Sequence, residues 1–240
     1  MHQPALVFIH GALNDHTVWN AQSRHFTDLG YQVHAIDLPG HGASVSSGPA
    51  LTSVTGMADW LLASLDTAGV RQAALVGHSM GSLIALEATS KAPHLVTHLA
   101  LLGAAFPMKV ADALLDTARN DEARAIDMVT KWSHTPGYAD TDTLRQLMLR
   151  LAAANPAHLL HTDLAACNAY DNGESAARAV HCPTLFLCGA ADVMTPPKAA
   201  RRLTESIAHA QTVTLEAGHA MMAEQPDAVS SALAAFIGNR

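Results

Sequence analysis

A chain of 240 residues that is 49% apolar and only 15% charged is too hydrophobic for a disordered polymer. It is long enough for one large domain, or for a domain with an insertion. Its net charge of −7 with histidines neutral argues against partners such as nucleic acid or an anionic membrane surface. The three cysteines, Cys167, Cys182 and Cys188, are odd in number and lack CxxC spacing, which argues against a disulfide framework or a thiolate zinc site and suits a reducing compartment. A strand pattern begins at Pro4, leaving no room for a signal peptide, and no apolar run approaches the ~18 residues of a membrane span. The expectation is a soluble, cytoplasmic protein.

Ala5–Ile9 is an unbroken apolar run, as in a parallel strand buried on both faces, and it ends in His10-Gly11-Ala12. Residues 17–29 carry Val18, Trp19, Phe26 and Leu29 at roughly helical spacing, stopped by Gly30. A second strand is predicted over Tyr31–Leu38, and residues 44–52 read as loop. Met57, Trp60, Leu61 and Leu65 place an amphipathic helix over 53–68. An apolar run over Ala73–Val76 then stops at Gly77-His78-Ser79-Met80-Gly81 before a helical pattern that Pro93 ends. The next strand is His98–Ala104.

From Phe106 to about Ala179 strand-like runs vanish, and Ala, Leu, Asp and Arg recur at helical spacing. Three or four helices are expected there, broken near Pro136-Gly137, Asn155-Pro156 and Asn172-Gly173. Strand patterning resumes at Pro183–Gly189, followed by helix 197–208, strand 211–216 and helix 226–237. Strands alternating with helices specify an α/β fold with a doubly wound, mainly parallel sheet. The helical block is longer than a crossover requires and reads as an insertion.

A buried strand that breaks into G-x-S-x-G and opens a helix is the context of a nucleophile elbow. The turn is so tight that side chains at 77 and 81 would meet backbone, and it lifts Ser79 to a helix N-terminus, where developing negative charge is favoured. A serine hydroxyl needs a base, and the base needs an orienting carboxylate. Of the fifteen histidines, His219 follows the last strand, on a loop at the carboxyl ends where ligands meet such sheets. Asp192 follows the strand before it; a turn aspartate capping Thr195-Pro196-Pro197 is its bland alternative. Asp163 or Asp171 would be the carboxylates to test if Asp192 were not the acid. Oxyanion donors are expected from the backbone N–H groups of Met80 and Ala12. His10, His41 and His78 read as structural histidines holding their loops. His158 and His161 stand i, i+3 on a helix without a further ligand at metal spacing, so no metal is expected, and the chemistry requires no cofactor.

Four stretches, HGALNDHTVW (10–19), DLPGHGAS (37–44), GHSMG (77–81) and GAADVMTP (189–196) with GHAMMAEQP (218–226), resemble the α/β-hydrolase fold superfamily, and the resemblance runs over essentially the full length. It implies a Ser79–His219–Asp192 triad, an oxyanion hole from the Ala12 and Met80 amides, and a six-stranded, all-parallel core over residues 1–105 and 180–240. A helical cap over 106–179 is implied as well. Members often carry a further glycine soon after the His-Gly pair, where Leu13 and Asn14 stand here. Relatives with dehalogenase or epoxide hydrolase activity use an aspartate at the elbow, so Ser79 directs the expectation to acyl carbon.

A carboxylic ester of a small apolar or aromatic acid is the expected small-molecule substrate, with thioester, amide or C–C bond cleavage as alternatives. Tryptophan commonly follows the histidine in the C–C hydrolases, whereas Ala220 and Met221 follow it here. Trp132 and Tyr170, with Met108 and Met128, are the bulky candidates for shaping the substrate site, and packing inside the helical block is the alternative for each. A small-molecule receptor with slow or single turnover is the reading from another class.

Overall fold

Six parallel strands, β1 (Ala5–Ile9), β2 (Val33–Ala35), β3 (Ala73–His78), β4 (Val96–Leu102), β5 (Thr184–Gly189) and β6 (Gln211–Leu215), form one sheet in the order β2-β1-β3-β4-β5-β6. They belong to a computed structural model that describes residues 3–46, 48–155 and 158–238. The helices are α1 (Asn20–Asp28), α2 (Val54–Thr67), α3 (Met80–Lys91), α4 (Asp112–Asn120), α5 (Glu122–Ser133), α6 (Asp142–Ala154), α7 (Leu159–Ala169), α8 (Gly173–Arg178), α9 (Arg201–Ser206), α10 (Met221–Glu224) and α11 (Pro226–Gly238).

The central strands are apolar throughout because both faces of the sheet are covered. Ala5, Val7 and Ile9 of β1 turn to the core shared with α2 and α3, whereas Leu6 and Phe8 turn to the core shared with α1 and α11. The same two-residue alternation runs through β3, β4 and β5. Strand order reverses between β1 and β3, and the crevice at their carboxyl ends is where an open α/β sheet takes a ligand.

Several elements depart from the sequence pattern. β2 is shorter than the run over 31–38, as befits an edge strand whose residues are only half buried. The first helix opens with a 3-10 turn at His16–Trp19, begun by the Asp15 carboxylate accepting the Thr17 N–H. Among the described residues five helices stand between β4 and β5, because Asp121 both ends α4 and caps α5 without any proline or glycine to mark the break. The break expected near Asn155-Pro156 has Asn155 closing α6, while Pro156 lies outside the described residues.

Helices α4 to α7 build a third core of their own, into which the sheet side contributes Leu13. α8 packs against α3 and α9 instead. Among the described residues no helix is long and apolar enough to cross a membrane.

Phe8 is fully buried and stacks on Trp19 with ring centroids 4.8 Å apart. Phe8→Ala is expected to lower unfolding free energy by about 3–5 kcal/mol in urea denaturation, because the tightly packed core around it relaxes only in part.

Candidate active site

The turn between β3 and α3 is set by two contacts that leave room only for hydrogen. A Cβ on Gly77 would lie 2.1 Å from the Gly81 carbonyl oxygen, and one on Gly81 would lie 2.3 Å from the Ile9 carbonyl oxygen. Between them Ser79 is held at φ 52° and ψ −119°, a conformation that costs a non-glycine residue roughly 1–3 kcal/mol. Neighbours maintain it: Ser79 N–H donates to Leu102 O at 2.9 Å, and the Ser82 hydroxyl donates to Ser79 O at 2.6 Å.

His219, beyond β6, meets Asp192, beyond β5. Its Nδ1 lies 2.8 Å from Asp192 Oδ2 and 3.0 Å from Thr195 Oγ1. The Thr195 hydroxyl itself donates to Asp192 Oδ2 at 2.7 Å, and Asp192 Oδ1 accepts the N–H groups of Met194 and Thr195, both at 2.8 Å. Burial alone would raise the Asp192 carboxyl, but the neighbouring His219 charge and these hydrogen bonds outweigh it and hold the pKa at about 2. Asp192 is thus both the capping turn aspartate and the partner of His219. With Nδ1 of His219 committed to the carboxylate, Nε2 is the ring nitrogen that remains to exchange a proton. On its other side the ring is confined by Gly103, whose Cβ position lies 3.0 Å from His219 Cε1.

His78 donates from Nε2 to the His219 carbonyl oxygen at 2.9 Å. Burial, with His219 close by, lowers its pKa to about 3, so it serves as a neutral brace. A second support comes from Glu224, which accepts the N–H groups of Gly218 and Thr135 and the Thr135 hydroxyl. The Ser133 carbonyl oxygen takes the Ala220 N–H at 2.7 Å. The histidine loop is therefore fixed from the helical insertion as well as from the sheet.

The loop after β1 passes directly beside Ser79: a Cβ on Gly11 would stand 3.2 Å from Ser79 Cβ. His10 accepts the Leu38 N–H on Nε2 at 3.2 Å, so its Nδ1–H donates to Gly11 O at 2.8 Å. Burial, reinforced by His41, lowers the His10 pKa to about 4, and it is a neutral structural histidine. Among the described residues no protein acceptor takes the N–H of Ala12 or of Met80.

A cavity of about 1060 Å³ lies over these groups, lined by Gly11, Ala12, Ser79 and His219. Trp132 and Met108 line it as well. Tyr170 does not: its hydroxyl donates to the buried Glu87 of α3 at 2.7 Å and its ring packs on Phe106. The expectation of a substrate contact there is corrected by that partner, invisible at a distance of 83 residues. Met128 also lies outside the lining. Asp163 is committed to Leu13 N–H and His41, which removes it as an alternative acid. Ser79 Oγ and the His219 ring share the cavity, and no hydrogen bond joins them among the described residues.

A parallel six-stranded sheet with a serine elbow at its switch point is the architecture of a hydrolase, and the chain belongs to the alpha/beta hydrolase fold family, whose model matches residues 4–226. It is similar to (E)-2-((N-methylformamido)methylene)succinate hydrolase of Acinetobacter baylyi, 25% identical over 239 residues that cover 97% of this chain and 89% of the relative. Among solved structures it is similar to an esterase from Exiguobacterium antarcticum (TM-score 0.87, 21% identity, 99% of this chain and 92% of that one). It is also similar in fold to the enol-lactonase of Burkholderia xenovorans (TM-score 0.80, 21% identity, 100% of this chain and 93% of that one). The protein is an enzyme of the α/β-hydrolase class.

The two neutral histidines give the site a pH signature. Unfolded, His10 and His78 bind protons at the ordinary value of 6.5; folded, they resist until about 4 and about 3. The unfolded chain therefore holds more protons across this window, and stability falls as pH drops. A slope of roughly 2–3 kcal/mol per pH unit is expected between about pH 4.5 and 6, halved in His78→Gln. Urea unfolding at a series of pH values measures it.

Proposed function

We propose that this hydrolase cleaves a carboxylic ester of an apolar acid through an acyl-enzyme on Ser79. What carries the reading is one convergence: a strained serine, an imidazole oriented by a buried carboxylate and the unused Ala12 amide border the same cavity, and the unused Met80 N–H follows the serine directly. Ser79 Oγ attacks the ester carbonyl carbon while its proton passes to His219 Nε2. The oxyanion accepts hydrogen bonds from the Ala12 and Met80 N–H groups, and Asp192, ionised at any working pH, stabilises the imidazolium. The C–O bond then breaks, and the alkoxide leaves with the proton from Nε2. Water deprotonated by the same nitrogen attacks the acyl-enzyme, releasing the acid and restoring Ser79. The hydrogen bond between Ser79 and His219 is of the kind that tightens only when substrate is bound.

The acyl group is assigned to the apolar part of the cavity, where Leu114, Val129, Leu147, Met148, Leu160 and Leu164 come from α4 to α7. In this reading the insertion over 106–179 acts as a cap, with Trp132 at the rim, 37% exposed. A volume of about 1060 Å³ far exceeds an acetyl group, which favours a medium-length or aromatic acyl chain. The relatives' names support hydrolysis of small molecules in general. The reading needs no cofactor, and three free thiols suit a cytoplasmic setting.

The open Ser79–His219 pair also favours a second reading, a receptor that is acylated once and released slowly. Hydrolysis of p-nitrophenyl acetate, butyrate and hexanoate separates the two. The esterase reading expects many turnovers, kcat/KM rising from acetate to the longer chains, loss of turnover in Ser79→Ala, and a fall of roughly 10³–10⁴-fold in Asp192→Asn. A single equivalent of p-nitrophenol establishes the receptor instead.

A further inference from the structure

Asp163 on α7 is fully buried, yet it reaches out of the insertion to the loop after β1. Its Oδ2 accepts the Leu13 N–H at 2.8 Å and lies 2.9 Å from Nε2 of His41, itself 1% exposed. The other His41 nitrogen faces the Pro39 carbonyl oxygen at 3.2 Å. Both ring nitrogens thus point at acceptors, which describes an imidazolium; burial opposes the charge, but Asp163 outweighs it and raises the pKa. As a device for stability the pair is poor, because Asp163 Oδ1 has no hydrogen-bond partner among the described residues and a buried carboxylate left partly unsatisfied is costly.

Its placement suggests another use. Leu13 sits at φ 46°, a left-handed conformation that glycine adopts freely and leucine does not. The insertion grips Leu13 twice, by its side chain in the α4–α7 core and by its N–H on Asp163. Leu13 follows Ala12, whose amide is the candidate oxyanion donor. In a planar trans peptide the carbonyl and the next N–H point in opposite directions. His10, holding Gly11 O, therefore fixes the direction of the Ala12 N–H from one side. Asp163, holding the Leu13 N–H, fixes the following peptide from the other.

We infer that Asp163 is a positioning residue for the oxyanion hole: the helical insertion sets the aim of the Ala12 amide through the bond from Asp163 to Leu13. The kinetic part of this inference rests on the esterase reading. The structural part does not.

Three variants of the full chain test it. Asp163→Asn, with its amide oxygen in the place of Oδ2, still accepts the Leu13 N–H and the Nε2–H of a neutral His41, so it is expected to retain kcat within about threefold. Asp163→Ala leaves the Leu13 N–H without its acceptor; kcat on p-nitrophenyl butyrate is expected to fall roughly 30–100-fold with KM little changed, since misaiming one donor acts on the transition state alone. If that variant does not fold, His41→Leu combined with Asp163→Leu removes both charges together and is expected to show the same kcat loss. Amide exchange read by NMR is the second arm: Leu13 N–H is expected to be protected in wild type and Asp163→Asn, and to exchange at least tenfold faster without the carboxylate. Unchanged kcat in the folded Ala or double variant, a change confined to KM, or unaltered Leu13 exchange overturns the inference. Absence of ester turnover in wild type defeats the esterase reading instead, and the exchange arm still decides whether Asp163 holds the loop.

Discussion

The molecule depends on one close approach: the end of β1 running against the first turn of α3, with the Ile9 carbonyl oxygen where a side chain on residue 81 would otherwise stand. Because β1 and β3 are neighbours in register, with Ile9 opposite Gly77, that approach brings the two loops at the switch point into contact. Ser79 is forced to a positive φ, and Gly11 is brought beside it. Had either turn been looser, the serine and the amides would share a sheet edge without sharing a site.

Around this contact the buried histidines divide their work by tautomer and charge. His10 is neutral, with the proton on Nδ1, because Leu38 N–H occupies its other nitrogen. His78 is neutral, with Nε2 donating to the main chain of His219. His41 is charged because it faces two acceptors. His219 lines the cavity with its Nδ1 committed to Asp192. Four residues of one type thus have distinct roles, set by what each ring meets.

The architecture was legible in the sequence because a sheet covered on both faces leaves unbroken apolar runs, and glycines mark where those runs stop. β1, β3, β4 and β5 stand within a few residues of their runs; only the half-exposed edge strand β2 shrank. The meeting of Asp192 with His219 was legible for the same reason, since both are polar residues just past strand ends. Thr195, which shares the hydrogen bonding of that pair, was read only as part of the turn that Asp192 would cap. Asp163 and Glu224 left no local signal: each acts across the boundary between sheet and insertion, 150 residues from Leu13 in one case and 89 from Thr135 in the other. Tyr170 misled because aromatic bulk in an insertion suits a substrate wall and an internal anchor equally well. The glycine missing after His10-Gly11 proved informative in reverse, since Leu13 adopts a glycine-like conformation and is held there by outside contacts.

The side chains that hold α4 to α7 together are largely those that border the cavity; Leu114, Val129, Leu147, Met148, Leu160 and Leu164 do both. The insertion therefore borders open space with part of its own core, at the expense of tight packing. Evolution toward a narrower specificity has an easy path here, since enlarging any of these residues both trims the chamber and firms up the helices. Breadth of substrate is harder to keep, because each widening loosens the scaffold that encloses it.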